Sequence, residues 1–91
     1  MEKETVPWFV YLLRCSDHTL YTGITTNLEQ RFQEHNHSEK GAKYTRGRRP
    51  VQLVYHEQQT SRSLAARREH EIKRFSRQQK EQLIKNSSSS V

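Results

Sequence analysis

The run Trp8–Arg14 is apolar on both of its alternating faces, and after a break at Ser16-Asp17-His18 a second strand-like run begins at Leu20. A strand that is hydrophobic on both sides has to be covered on both sides, which puts it in the middle of a sheet clad by helices. Pro7 stands just before it, where a missing N–H costs least. If Cys15 pairs with Thr19 across the turn, the even register sets Tyr11 opposite Gly23 and diagonal to Tyr21, with both rings on one face. Gly23 inside the second strand predicts a place where another group comes close to the backbone.

The next segment predicts a helix over residues 27–36. Thr26 with Glu29 reads as a capping box, and Asn27 is the competing cap. Leu28, Arg31, Phe32 and His35 share one arc of that helix, so an arginine and a histidine lie among the residues that must face the sheet. Residues 37–50 carry no usable periodicity and read as a loop. Val51, Leu53 and Tyr55 alternate with Gln52, Val54 and His56 in a third strand covered in part on both faces.

Thr60 or Ser61 then caps a helix with the stripe Leu64, Ala65, Ile72 and Phe75. Glu69 stands at the margin of this stripe, and Arg68 lays its stem along it with its head at the edge. Ser76 and Gln79 form a further capping box for a short helix anchored by Leu83 and Ile84 and ending near Asn86. The fold expected is α/β, a three-stranded sheet flanked by helices in the order β-β-α-β-α-α, as one domain over residues 1–86. Residues 87–91, mostly serine, have nothing to bury and read as a disordered tail.

With 31% hydrophobic and 29% charged residues, the core must be small and the surface dense in charge. The formal net charge of +6 favours polyanionic partners through counterion release. The single cysteine, Cys15, cannot form an intrachain disulfide, and no stretch is apolar and long enough for a membrane span or a signal peptide. A disulfide scaffold and a membrane protein are thereby excluded, and the cytoplasm is the default location. Lys40, Lys43, Arg46, Arg48 and Arg49 surround Tyr44 in the loop. This interleaving suits phosphate tracking and base stacking, and suits a solvated surface loop equally well.

Val10-Tyr11-Leu12, Tyr21-Thr22-Gly23, Arg31, His35 and Glu69, in that order and spacing, resemble the GIY-YIG nuclease superfamily, and most closely its small stand-alone bacterial branch of UPF0213-like proteins. The resemblance runs from about Trp8 to Leu83. It implies a divalent-metal-dependent endonuclease on DNA, with RNA as an alternative partner, acting in DNA repair or processing. The implied site is Tyr11, Tyr21, Arg31, His35 and Glu69. Glu69 would hold a single Mg²⁺ or Mn²⁺, Arg31 the scissile phosphate, and Tyr11 would act as base with Tyr21 orienting the water and His35 accepting a proton from Tyr11 or touching phosphate.

Each residue also has a plainer role open to it. Glu69 could pair with Lys73 one turn on, Arg31 could make a helix-surface ion pair, the tyrosines could be core aromatics, and His35 could simply end a helix. A zinc site from Cys15, His35, His37 and His56 has no recurrent ligand spacing and is set aside. Two departures from the family pattern stand out: Ile24 replaces the lysine that one branch carries after the glycine, and Asn86 is the one late candidate for the asparagine that backs the glutamate in several members. With nothing here that reads sequence, structured or single-stranded DNA is the expected substrate. A non-catalytic nucleic-acid-binding module of the same fold, and a structural or partner-recruiting protein, are the rival functions. A monomer is the default oligomeric state.

Overall fold

The computed structural model describes residues 6–88. Its elements are β1 (Trp8–Arg14), β2 (Leu20–Thr25), α1 (Leu28–His37), α2 (Lys43–Arg46), β3 (Gln52–Gln59), α3 (Arg62–Lys73) and α4 (Arg77–Ser88). The sheet is antiparallel in the order β2-β1-β3, so the doubly apolar strand is central, as its composition requires. Val10, Tyr11, Leu12 and Leu13 are all buried.

The hairpin register is the expected one. Tyr11 stands opposite Gly23 and Leu13 opposite Tyr21, and the Cys15 N–H donates to the Thr19 carbonyl at 2.9 Å. Asp17 accepts from the Thr19 N–H and hydroxyl, and His18 takes a left-handed φ of 69° to complete the turn.

The simple alternation expected of β3 does not hold. Leu12 pairs with Tyr55 but Leu13 pairs with Leu53, which leaves Val54 as the extra residue of a β-bulge. Val54 and Tyr55 consequently pack with Val10 and Leu12, whereas Leu53 joins Leu13 and Val51 on the opposite face. One inserted residue lets β3 serve two cores.

The helices begin where side chains can satisfy free N–H groups. Asn27, the competing candidate, caps α1 by accepting from the Gln30 N–H at 3.0 Å. Ser61 caps α3 through the Leu64 N–H. Ser76 and Gln79 bond reciprocally at the start of α4, which is the box read from the sequence. The end of α4 lies at Ser88, two residues beyond the Asn86 expected, and the rest of the proposed tail, residues 89–91, falls outside the described residues.

Helix α3 lays Ala65 and Ile72 on Val10 and Leu12, with Phe75, Leu83 and Ile84 packed around them. Leu64, assigned to the stripe, is 43% exposed and contributes little. The Arg68 head bonds to both carboxylate oxygens of Glu57 at 3.1 Å, and Glu57 also accepts from the Tyr55 hydroxyl, stitching α3 to β3. On the other face α1 sets Leu28 and Phe32 against Tyr11 and Leu13. No helix among the described residues is long and apolar enough to cross a membrane.

Candidate active site

Gly23 decides where the Tyr11 phenol goes. A Cβ at this position would fall inside contact distance of the Tyr11 hydroxyl oxygen and ring. Because Gly23 lacks one, the ring lies across β2, the edge strand, and carries its hydroxyl towards the rim of the sheet.

The hydroxyl lies 2.8 Å from Nε2 of His35, which is completely buried. The other ring nitrogen, Nδ1, lies 2.9 Å from the Thr45 hydroxyl, and that hydroxyl bonds to the Ala42 carbonyl at 2.9 Å. Burial, the neighbouring Tyr21 and the Glu69 carboxylate push the phenol up to about 12, against a smaller opposing pull from Arg31. Burial, with Arg31 and Arg49 nearby, pushes His35 down to about 4, so its imidazole is neutral at physiological pH.

Arg31 donates to Glu34 and to the Lys40 carbonyl, each at 2.8 Å and both through one nitrogen. The helix-surface ion pair weighed as the plainer alternative is therefore present. It immobilises the guanidinium and leaves its remaining donors beside the Tyr11 hydroxyl, which the arginine pulls down.

Tyr21 packs edge-on to His35 with ring centroids 5.2 Å apart and stacks on Tyr44 at 5.9 Å. Its hydroxyl makes no hydrogen bond among the described residues. Glu69, from the helix on the opposite face of the sheet, comes within electrostatic reach of the Tyr11 phenol. Its carboxylate also pairs with Lys73 at 3.3 Å, and that lysine is half exposed.

Among the described residues no three His, Cys, Asp or Glu side chains converge on a common point, which is the arrangement an all-protein cage needs. A single partly exposed carboxylate such as that of Glu69 fits a hard ion such as Mg²⁺, which keeps most of its shell as water and phosphate oxygens. In that sense the donor set suits the group.

The basic loop divides. Arg49 was expected to touch nucleic acid, but its guanidinium donates to the carbonyls of Glu34, His35 and Ser38 and so closes the C-terminus of α1. Arg48 donates to Asp17 and to the Tyr44 carbonyl and lies 4.0 Å over the Tyr44 ring. Tyr44 is thus already engaged by Tyr21 and Arg48, with 38% of the residue still exposed. Lys40, Lys43 and Arg46 remain exposed. Asn86 is exposed on α4 and accepts a bond from Gln82.

Two residues of the surroundings carried no signal in the sequence. Thr45 is buried beneath His35 on α2, a single helical turn too short to leave a periodic trace. Asn36 bonds both the N–H and the carbonyl of Val51 and so ties the end of α1 to the start of β3. Gly41 is required because a Cβ there would lie 2.7 Å from the Glu34 carbonyl.

A family model described as the GIY-YIG catalytic domain matches residues 7–82. The chain belongs to the GIY-YIG family, a family of nuclease domains. Within it the similar proteins are UPF0213 proteins, the small stand-alone group expected from the motifs. One from Desulfotalea psychrophila is 55% identical over 86 residues, covering 94% of this chain and 78% of its own. The solution NMR structure of a UPF0213 protein from Bacillus halodurans matches with a TM-score of 0.59 and 44% identity, over 92% of this chain and 88% of that one. A solution NMR structure of a protein from E. faecalis matches with a TM-score of 0.63 and 38% identity, over 100% and 95%.

Proposed function

We propose that this protein is a divalent-metal-dependent endonuclease that hydrolyses DNA phosphodiester bonds, with structured or single-stranded DNA as substrate and the cytoplasm as its place of action. What supports this reading is the buried pair of the Tyr11 hydroxyl and His35 at 2.8 Å beside the immobilised Arg31, with the Glu69 carboxylate near enough to raise the phenol electrostatically.

In this reading Arg31 binds a non-bridging oxygen of the scissile phosphate with the donors it does not give to Glu34 and Lys40. The water oxygen forms a bond to phosphorus as its proton passes to the Tyr11 oxygen, and Tyr11 hands its own proton to His35. The bond from phosphorus to the departing nucleoside oxygen breaks with its electron pair staying on that oxygen. Tyr21, with its free hydroxyl, orients the water.

In the protein alone the proton stays on Tyr11, since the phenol is pushed up and the imidazole down. A phosphate bound to Arg31 neutralises one of the two arginine charges that depress His35, so substrate itself makes His35 the better acceptor. Glu69 would hold a hard divalent ion, which would supply positive charge for the departing oxygen. The exposed Lys40, Lys43 and Arg46 supply non-specific attraction for flanking phosphates.

The deciding experiment incubates plasmid, single-stranded and branched DNA with the protein and Mg²⁺ or Mn²⁺. Cleavage that disappears in Glu69→Ala while binding persists supports the reading. Binding with no cleavage by the unaltered protein under any of these conditions points instead to the non-catalytic module.

A further inference from the structure

Thr45 has no part in the chemistry just described, yet it is fully buried and makes both of its hydrogen bonds inside the protein. A threonine hydroxyl has one hydrogen to give. The Ala42 carbonyl has none; it also takes the N–H groups of Thr45 and Arg46 at 3.0 and 3.1 Å, and an oxygen–oxygen approach of 2.9 Å is favourable only with the Thr45 hydrogen between the two. The Thr45 oxygen can then meet His35 Nδ1 only as an acceptor, and Nδ1 must carry a proton. A neutral imidazole has a single N–H, which leaves Nε2 bare and turned to Tyr11. The Tyr11 hydrogen accordingly points at His35, and the lone pairs of its oxygen face outward.

From this chain of single-proton assignments we infer that Thr45 is a positioning residue that fixes His35 as the Nδ1-protonated tautomer, so that Nε2 stands ready to take the Tyr11 proton. The functional value of this arrangement rests on the nuclease reading; the tautomer itself does not. The same logic explains why α2, four residues long, is worth forming. It brings Ala42 and Thr45 together beneath the imidazole, and Gly41 lets the loop come against the α1 backbone just before it.

Replacing the hydroxyl by a methyl leaves Nδ1 facing hydrocarbon. An N–H left unbonded there costs more than a bare nitrogen, and the N–H can be satisfied by moving to Nε2, where the Tyr11 oxygen accepts it. The Tyr11 hydrogen must then turn away from His35, and the relay runs the wrong way.

The test is long-range ¹H–¹⁵N correlation on histidine-labelled protein near pH 7, with the His35 ring signals assigned by their loss in His35→Gln. The wild-type protein should show a protonated Nδ1 and a bare Nε2. Thr45→Val should exchange that pattern, and Thr45→Ser, which keeps the hydroxyl, should restore it. Thr45→Ala provides a second deletion of the hydroxyl should the valine variant not give a folded amide spectrum. In a cleavage assay Thr45→Val should lower kcat about 100-fold with KM little changed, and Thr45→Ser should recover most of the rate. A wild-type His35 protonated at Nε2, or a hydroxyl-deleted variant that keeps the Nδ1 proton, overturns the inference. Absence of cleavage in every form alongside the expected tautomer pattern counts against the nuclease reading alone.

Discussion

On one face of β1, Val10 and Leu12 meet Ala65 and Ile72 of α3 in a cluster closed by Phe75, Leu83 and Ile84. On the other, Tyr11 and Leu13 meet α1, and the buried set there includes His35 and Thr45. Both faces belong to one strand and both are buried. The α3 face is mostly hydrocarbon, and what it gains from burial goes into stability. The α1 face buries hydroxyls, an imidazole and a nearby guanidinium, each of which needs a partner in place before its burial is tolerable. The stable face is thus the support on which the polar face can be held in one arrangement.

If this division is right, substitutions on the two faces should differ in kind. The largest loss of stability should come from Ile72→Ala, which empties a fully buried site on the α3 face. It should cost about 2–5 kcal/mol in a denaturant titration while leaving cleavage per folded molecule unchanged.

The polar face should instead reveal itself through acid. His35 titrates near 4 when folded and near its ordinary 6.5 when unfolded. Between these values the unfolded chain binds the additional proton, so this contribution is complete above about pH 6.5 and is lost as pH falls towards 4. In all it amounts to about 3 kcal/mol. Unfolding titrations from pH 7 to 4 should show this limb, and His35→Gln should flatten it between pH 6.5 and 5; an unchanged limb would mean that His35 is not held neutral.

Gly23→Ala comes next. The new methyl has to displace the Tyr11 phenol, at about 1–3 kcal/mol of stability, and cleavage should fall much further than that loss explains. Equal loss of stability and activity would show that the position of the phenol has no special role. The smallest effect belongs to Lys73→Ala. The pair of half-exposed Lys73 with Glu69 one turn away is worth about 0.5 kcal/mol, so the thermal midpoint should barely move. Freed of its partner, Glu69 should hold Mn²⁺ more tightly, as read by the Mn²⁺ concentration at half-maximal cleavage.

Much of the fold was legible because it depends on neighbours close along the chain. The doubly apolar run gave a central strand, and Asn27, Ser61 and Ser76 sit where helix starts need acceptors. The hairpin register followed from a short turn, and with it the pairing of Tyr11 and Gly23. The Val54 bulge was not legible, since a bulge is settled by the partner strand and by the demand of two cores rather than by its own residue type. The role of Arg49 was equally hidden. In sequence it is one more cation in a basic loop, and only the folded chain brings the carbonyls of Glu34, His35 and Ser38 at the end of α1 against it.

The candidate site residues were named through the family resemblance, and what they do to one another was not. Periodicity is enough to say that Arg31 and His35 face the sheet, because a helix repeats over distances the sequence itself measures. It cannot say that a threonine ten residues beyond His35 will lie under its ring, or that a glutamate on the far layer will act on a phenol across the edge of β2. Those are distances through space between layers. They exist only after the hydrophobic faces have chosen their partners, and so the proton order and charge of the site belong to the tertiary structure.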